Sequence, residues 1–275
     1  IHPFVSFISS CTDIQKMLLS HLKISQMNFQ LSPEILSELQ KIVGLDFVFF
    51  DQETLNHYGH DETEDYVFPP SVVVKPANTN EIAAIMKLAN NHKIPVTPIG
   101  ARTGLSGGAL CIHQGIGLSL ERLNAIIEID ERNLQITTEP AVITQVLRDT
   151  VAELNLFYPP DPSSQGSCWI GGNVAENAGG ARAVKYGVTK DYVLNLEVVL
   201  PNGEIIWTGA NTLKNSTGYN VTQLMVGSEG TLGIITKIVL KLIPKCNHNV
   251  LLLVPFYNDY EACEAVSAIF RAGIV

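Results

Sequence analysis

Asn173, Asn177, Ser163 and Ser164 are neutral hydrogen-bonding side chains set among five glycines and three prolines in residues 158–180, YPPDPSSQGSCWIGGNVAENAGG. Amides and hydroxyls of this kind serve the heteroatoms of a ligand, and glycine lets main chain approach a ligand with no β-carbon in the way. A loop of this length inside a compact domain is uncommon and is usually functional or disordered. Trp169, Ile170 and Val174, interleaved with the glycines, argue for order. The chemistry expected here is binding: a close-fitting backbone laid against something flat or anionic. Cys168 falls in the same run, where a small packing thiol fits better than a redox one.

A second segment, residues 94–108 (IPVTPIGARTGLSGG), carries Gly100, Gly104, Gly107 and Gly108 around Arg102, Thr103 and Ser106. Successive N–H groups in such a loop form an anion-binding concavity, and the planar guanidinium of Arg102 suits phosphate oxygens. Glycines at offsets 0, 4, 7 and 8 fit neither G-x-G-x-x-G nor G-x-x-x-x-G-K-[ST], which argues against a nicotinamide Rossmann site. A Ser/His/Asp hydrolase has no support, because G-x-S-x-G is absent. His57 and His60 stand beside Asp61, Glu62, Glu64 and Asp65, residue types that hold metals. Gly59 and the acidic run favour an exposed loop, and no metal site is assigned. His92, His113 and His248 are isolated.

In chain order, PIGARTGLSGGA, PPDPSSQGSCWIGGNVAENAGG, VKYGVTKD, LEVVLPNGE and GSEGTLGIIT resemble the PCMH-type FAD-binding domain of the vanillyl-alcohol-oxidase-like flavoproteins. Within that group the chain is similar to the glycolate oxidase and D-lactate dehydrogenase branch. The resemblance implies an α+β fold: a PCMH-type FAD-binding domain of two α/β subdomains, followed by the start of a cap, or substrate, domain. It implies that Pro98, Gly100, Ala101, Arg102, Thr103, Gly104, Leu105, Ser106, Gly107 and Gly108 wrap the FAD pyrophosphate. Pro160, Asp161 and Ser163, then Gly171, Gly172, Asn173, Asn177 and Gly180, would line the flavin and ribityl chain. Tyr186 and Gly187, with Glu229, Gly230, Gly233 and Ile234, would close the remaining side.

The function so implied is FAD-dependent oxidation of a D-2-hydroxy acid of the glycolate or D-lactate type to the 2-oxo acid, by hydride transfer to flavin N5. The alternatives are an alcohol or sugar oxidase on the same fold, or a catalytically incomplete FAD-binding fragment or subunit. Some members of the wider group attach FAD to a histidine in the first loop; residues 98–108 hold no histidine, so non-covalent FAD is expected. Arg182 and Lys185 are local cation candidates. The catalytic base and the anchor for the substrate carboxylate are unassigned and expected in a C-terminal part beyond residue 275. The electron acceptor is unassigned, and a homodimer or a partner subunit stays open.

Elements must hold these two loops. Ser32 and Pro33 start a helix with Ile35, Leu36, Leu39, Ile42 and Val43 as its apolar stripe. Residues 71–74 read as a short strand. Asn78 and Glu81 form a capping box before a helix at 80–91 with Ile82, Ile85, Met86 and Ala89 on one face. Residues 94–97 then lead as a strand into the first glycine loop, at a strand end where α/β folds bind ligands. Residues 116–129 and 134–139 read as further strands. A helix is expected at 143–155 with Val146, Leu147, Val151 and Leu154 as its stripe. Asn202-Gly203 predicts a two-residue hairpin turn between 197–200 and 204–207, and 231–243 reads as a last long strand. Residues 249–255 read as a strand and 258–272 as an amphipathic helix with Ala262, Val266, Ile269 and Phe270 on one face.

The 275 residues are 46% hydrophobic and 16% charged, with net charge −9, enough for a sizeable core in one large domain or two smaller ones. The acidic balance argues against nucleic acid or an anionic membrane as a main partner. No apolar run reaches the ~18–20 residues that span a bilayer. Five scattered cysteines without C-x-x-C suit a reducing cytoplasm, with membrane contact only through an electron-transfer partner. The organisation expected is an unrelated or non-native extension over 1–26, an N-terminal helical segment over 27–64, the FAD-binding domain over 65–245, and the beginning of a truncated cap domain over 246–275.

Overall fold

A computed structural model of the protein describes residues 31–63, 66–248 and 250–273. The expected extension over 1–26 lies outside these residues. Helix α1 (Pro33–Val43) starts where sequence places it, with Ser32 Oγ accepting from the Ile35 amide and Ile35, Leu39 and Val43 buried. Strand β1 (Val48–Phe49) and helix α2 (Gln52–His57) follow, α2 capped by Asp51. The expected exposed loop at 57–65 is corrected in part: His57, His60 and Glu62 are exposed, but His57 closes a helix and Tyr58 and Asp61 are buried, while Glu64 and Asp65 lie outside the described residues.

Strand β2 (Val72–Val74) is fully buried, as a strand covered on both faces should be. Helix α3 (Thr79–His92) crosses to strand β3 (Val96–Ile99), and β4 (Ile116–Ser119) lies between β2 and β3. Asn78 Oδ1 accepts from the Glu81 amide, while the Glu81 carboxylate accepts from the Ala77 amide, one residue earlier than a standard capping box. Order β1-β2-β4-β3, with β2 and β3 parallel to β4, gives a four-stranded sheet. Ile82, Ile85, Met86 and Ala89 of α3 pack on it. The glycine loop leaves the carboxyl end of β3, the position at which ligands meet parallel sheets.

Residues 116–129 divide into β4 and β5 (Ile126–Asp130), which belong to different sheets. The second sheet contains β5, β6 (Gln135–Thr138), β8 (Val193–Val199), β9 (Ile205–Trp207) and β10 (Ile234–Lys241), in order β5-β6-β10-β8-β9 and wholly antiparallel. Before β8 come α4 (Thr144–Glu153), β7 (Leu156–Phe157), α5 (Ile170–Glu176) and α6 (Ala183–Tyr186). Leu147 and Val151 of α4 and Ile170 and Val174 of α5 pack over the sheet with Leu196, Val198, Ile238 and Leu240. Val146 and Leu154, expected on the α4 stripe, are exposed instead; Thr144 takes the buried place because its hydroxyl is hydrogen-bonded inside. Two short elements, α7 (Val221–Met225) and β11 (Ile243–Pro244), flank β10.

Strands β8 and β10 join the two cores. Val199 and Ile234 pack in the first core while their neighbours Val198 and Ile235 pack in the second. Successive strand residues face opposite sides, so an unbroken apolar run is required there. The β8–β9 connection is a three-residue loop with only Gly203 at positive φ (80°), rather than a two-residue turn. Asn202 uses its side chain to accept from the Glu204 amide and keeps negative φ. Helix α8 (Asp259–Arg271) forms as expected, capped by Asn258. Residues 250–255 are not a strand: they are exposed and pair with no neighbour among the described residues. Among the described residues no helix is long and apolar enough to cross a membrane.

Candidate functional site

Between the two cores lies a cavity of about 260 Å³. The first loop contributes Pro98, Gly100, Ala101, Arg102, Thr103, Gly104, Ser106 and Gly108 to its wall. The second segment contributes Pro162, Ser164, Cys168, Trp169, Gly171, Gly172, Asn173, Ala175, Glu176 and Ala178, and Glu229, Gly230, Gly233 and Ile235 close it. Two loops far apart in sequence are therefore one site. The volume lies below the ~300–1,000 Å³ usual for ligand pockets, which suits a narrow part of a long ligand rather than the whole of one.

The glycines do different work. A β-carbon at Gly100 or Gly172 would meet nothing within 4 Å, so at both the bare backbone faces open space. One at Gly171 would press on Pro140 Cβ at 2.5 Å, which makes Gly171 the close approach of α5 to the chain before α4. Arg102 and Glu229 stand on the wall with left-handed φ of 61° and 51°. Such conformations are uncommon for side chains of this size and cluster at ligand sites.

Asn173 is buried at 4% exposure, its Nδ2 donating to Thr144 Oγ1 at 2.5 Å. Thr144 in turn lies 3.3 Å from the Cys168 carbonyl and 3.2 Å from Cys168 Sγ. Ser106 Oγ lies 3.1 Å from both carboxylate oxygens of Glu176. The protein packed around Glu176 raises its carboxyl above the usual range; Ser106 opposes this, and the neighbouring Glu229 and Asp61 add to it. Arg102 donates to the His57 carbonyl, with a second nitrogen 3.0 Å from His57 Nε2. Burial, then Arg102, lowers the His57 imidazole below its ordinary value.

Other expected residues stand behind or beside this wall. Leu105 points outward at 78% exposure; Gly107, Pro160, Ser163 and Ile234 do not line the cavity. Asp161 faces Arg182 Nε at 3.3 Å and packs against Gly180. Asn177 ends α5 and accepts from the Lys190 amide at 2.9 Å. The Tyr186 carbonyl accepts from Tyr192, and Gly187 packs on Asp191. Lys185 lies over the Tyr186 ring and Arg182 over Phe157, so neither cation faces the cavity. Asp61, Glu176, Ala109, Leu120, Pro140 and Ile235 line the wall without having been expected there. Glu176 carries a sequence signal, as one of two acids, with Asp161, inside the glycine-rich run; the others are placed only by folding.

These residues fit FAD. Bare glycine backbone on two walls, serine hydroxyls and one guanidinium provide the contacts that a flavin and a pyrophosphate need. Comparison with known proteins agrees. The chain is 46% identical over 218 residues to glycolate oxidase subunit GlcD of Bacillus subtilis (strain 168), covering 79% of this chain and 46% of that protein. It is 44% identical over 237 residues to D-lactate dehydrogenase of Anaerostipes hadrus, covering 86% and 49%. It spans about half the length of these relatives. Alkyldihydroxyacetonephosphate synthase shares the fold, with TM-score 0.74 at 22% identity over 92% of this chain and 49% of that one. Residues 70–209, the stretch that carries both glycine loops, match the FAD binding domain, and the chain belongs to that family.

Proposed function

We propose that this chain is the FAD-holding part of an oxidoreductase that converts a D-2-hydroxy acid to its 2-oxo acid. The observation that carries the reading is that both glycine loops face one cavity, with Gly100 and Gly172 open to it. The names of the relatives, a glycolate oxidase subunit and a D-lactate dehydrogenase, support the substrate class.

When bound, FAD supplies the hydride acceptor, since redox chemistry belongs to the cofactor and the protein supplies orientation and electrostatics. The 98–108 loop holds the pyrophosphate, with Arg102 as its cation and Ser106 as a hydroxyl partner. Gly171 sets α5 close to the chain, and Gly172 leaves room for the flavin or ribityl group. The Asn173–Thr144–Cys168 chain of contacts fixes the wall without placing a charge on it. The base that takes the substrate hydroxyl proton, and the cation for its carboxylate, belong to the further length that the relatives have. The FAD is non-covalent, as residues 98–108 lack histidine.

The test is a visible absorption spectrum of the chain after reconstitution with FAD, repeated on the full-length protein with D-2-hydroxy acids. The expected result is a flavin spectrum, released into solution by acid, that bleaches with a D-2-hydroxy acid in the full-length protein. No retained flavin would overturn the cofactor assignment, and bleaching only by sugars or simple alcohols would overturn the substrate.

A further inference from the structure

The family match begins at residue 70, yet the chain just before it grips the first glycine loop. Arg102 donates to the carbonyl of His57, the last residue of α2, and lies 3.0 Å from the same residue's Nε2. Its guanidinium carbon stands 4.9 Å from the centre of the Tyr58 ring, within the ~6 Å reach of a cation–π contact. Two residues on from Arg102, the Gly104 carbonyl accepts from the Glu62 amide at 3.2 Å. Asp61, buried, reaches the cavity wall itself. These are contacts from three residues, His57, Tyr58 and Glu62, onto one turn of loop.

Tyr58 is in turn fixed from behind. Its hydroxyl donates to Glu121 at 2.5 Å, and Lys75 donates to the other oxygen of that carboxylate at 2.8 Å. The ring packs with Val73, Ile99 and Cys111 in a small core of its own. Arg102 has φ 61°, and a conformation of that sort persists only where its surroundings over-determine it. The surroundings that do so here are His57 and Tyr58.

We infer that the 57–62 segment is a clamp belonging to the FAD site, with Tyr58 the positioning residue that holds Arg102 and its loop ready for the pyrophosphate. The inference rests on the FAD reading given above. It bears on the phosphate half of the cofactor more than on the flavin half: Tyr58 touches the first loop through Arg102, and its other contacts are with Glu121 and the small core of Val73, Ile99 and Cys111, not with the second glycine segment.

The test is calorimetric titration of Tyr58→Leu and Tyr58→Phe with FAD, with ADP (the pyrophosphate without a flavin) and with riboflavin (the flavin without phosphate). Tyr58→Leu removes the ring, and its affinity for FAD and ADP should fall about two- to fivefold, with riboflavin unchanged. Tyr58→Phe keeps the ring and should restore FAD and ADP binding to within about twofold of wild type. Equal losses for FAD and riboflavin would reduce Tyr58 to ordinary structural support, and unchanged FAD binding would remove the clamp; either overturns the inference. Should Tyr58→Leu not fold, Arg102→Lys keeps the charge but loses the planar fork, and FAD and ADP binding as in wild type would overturn it equally. Wild-type chain that binds no FAD would instead bring down the cofactor reading.

Discussion

Gly180 lies hard against Asp161: a β-carbon at Gly180 would overlap both the carbonyl oxygen and Oδ1 of that residue. Asp161 Oδ1 also accepts from the Arg182 amide at 3.2 Å, and Oδ2 faces Arg182 Nε at 3.3 Å. The second glycine segment thus closes on its own beginning, with the Gly180 backbone against both the main chain and the carboxylate of Asp161. Gly180→Ala should cost about 1–3 kcal/mol, as overpacking does, read as a lower urea midpoint. Gly172→Ala puts its methyl into open cavity; stability should hold within about 0.5 kcal/mol while FAD uptake falls. A drop in FAD uptake without either pattern of stability would dismiss this division of labour.

Glu197 ties the two cores together. Its carboxylate accepts from Thr79 Oγ1 at 2.8 Å, at the start of α3, and from Thr236 Oγ1 at 2.9 Å and Lys237 Nζ at 3.0 Å on β10. Burial alone would raise its carboxyl; these three partners outweigh burial and hold it below the ordinary value. A group whose folded value is depressed stabilises above its unfolded value, and the contribution is lost as pH falls through the folded value. Acid should therefore destabilise the protein, and Glu197→Gln should flatten that loss on the acid side while costing about 1–3 kcal/mol near neutral pH. Denaturant midpoints measured from neutral to acid pH check it; parallel curves for the two proteins would rule Glu197 out.

The parts of this architecture legible in sequence are those that local chemistry decides. Ser32-Pro33 and Asn78 start helices where expected because a cap needs only its own turn. Both glycine loops are visible because a backbone that packs closely, as at Gly171 and Gly180, or is left bare, as at Gly100 and Gly172, needs glycine wherever it lies. What needs the fold is pairing. Residues 250–255 have strand composition, yet a strand exists only with a neighbour to bond. Asn202-Gly203 takes a longer turn because the Asn202 side chain catches the Glu204 amide. The contact of Ser106 with Glu176 joins residues 70 apart, and the Tyr58–Arg102 contact joins two segments that no local motif connects.

The last consequence concerns charge at the glycine loop. A β-carbon on Gly108 would stand 3.0 Å from Glu176 Oε1 and 3.6 Å from Glu229 Oε2, and Asp61 lines the same cavity. Arg102 is the cation on that wall, while Ser106 is neutral. Glu176 is already held above the ordinary carboxyl range by the protein around it and by Glu229 and Asp61. A pyrophosphate arriving beside it adds negative charge and raises it further. Binding then takes up a proton, so affinity for FAD is highest where free Glu176 is protonated and weakens as pH rises through its range, by up to about tenfold per pH unit. His57 works in the other direction: its protonation in acid withdraws the acceptor that faces Arg102. Glu176→Gln removes the first effect and leaves the second, so its affinity should no longer fall as pH rises. Calorimetry in buffers of different ionisation heat reads the proton directly, and riboflavin, lacking phosphate, should bind without that uptake. A flat FAD profile in the wild type, or the same slope in Glu176→Gln, would mean that the carboxylates turn away from the phosphates instead of sharing a proton with them.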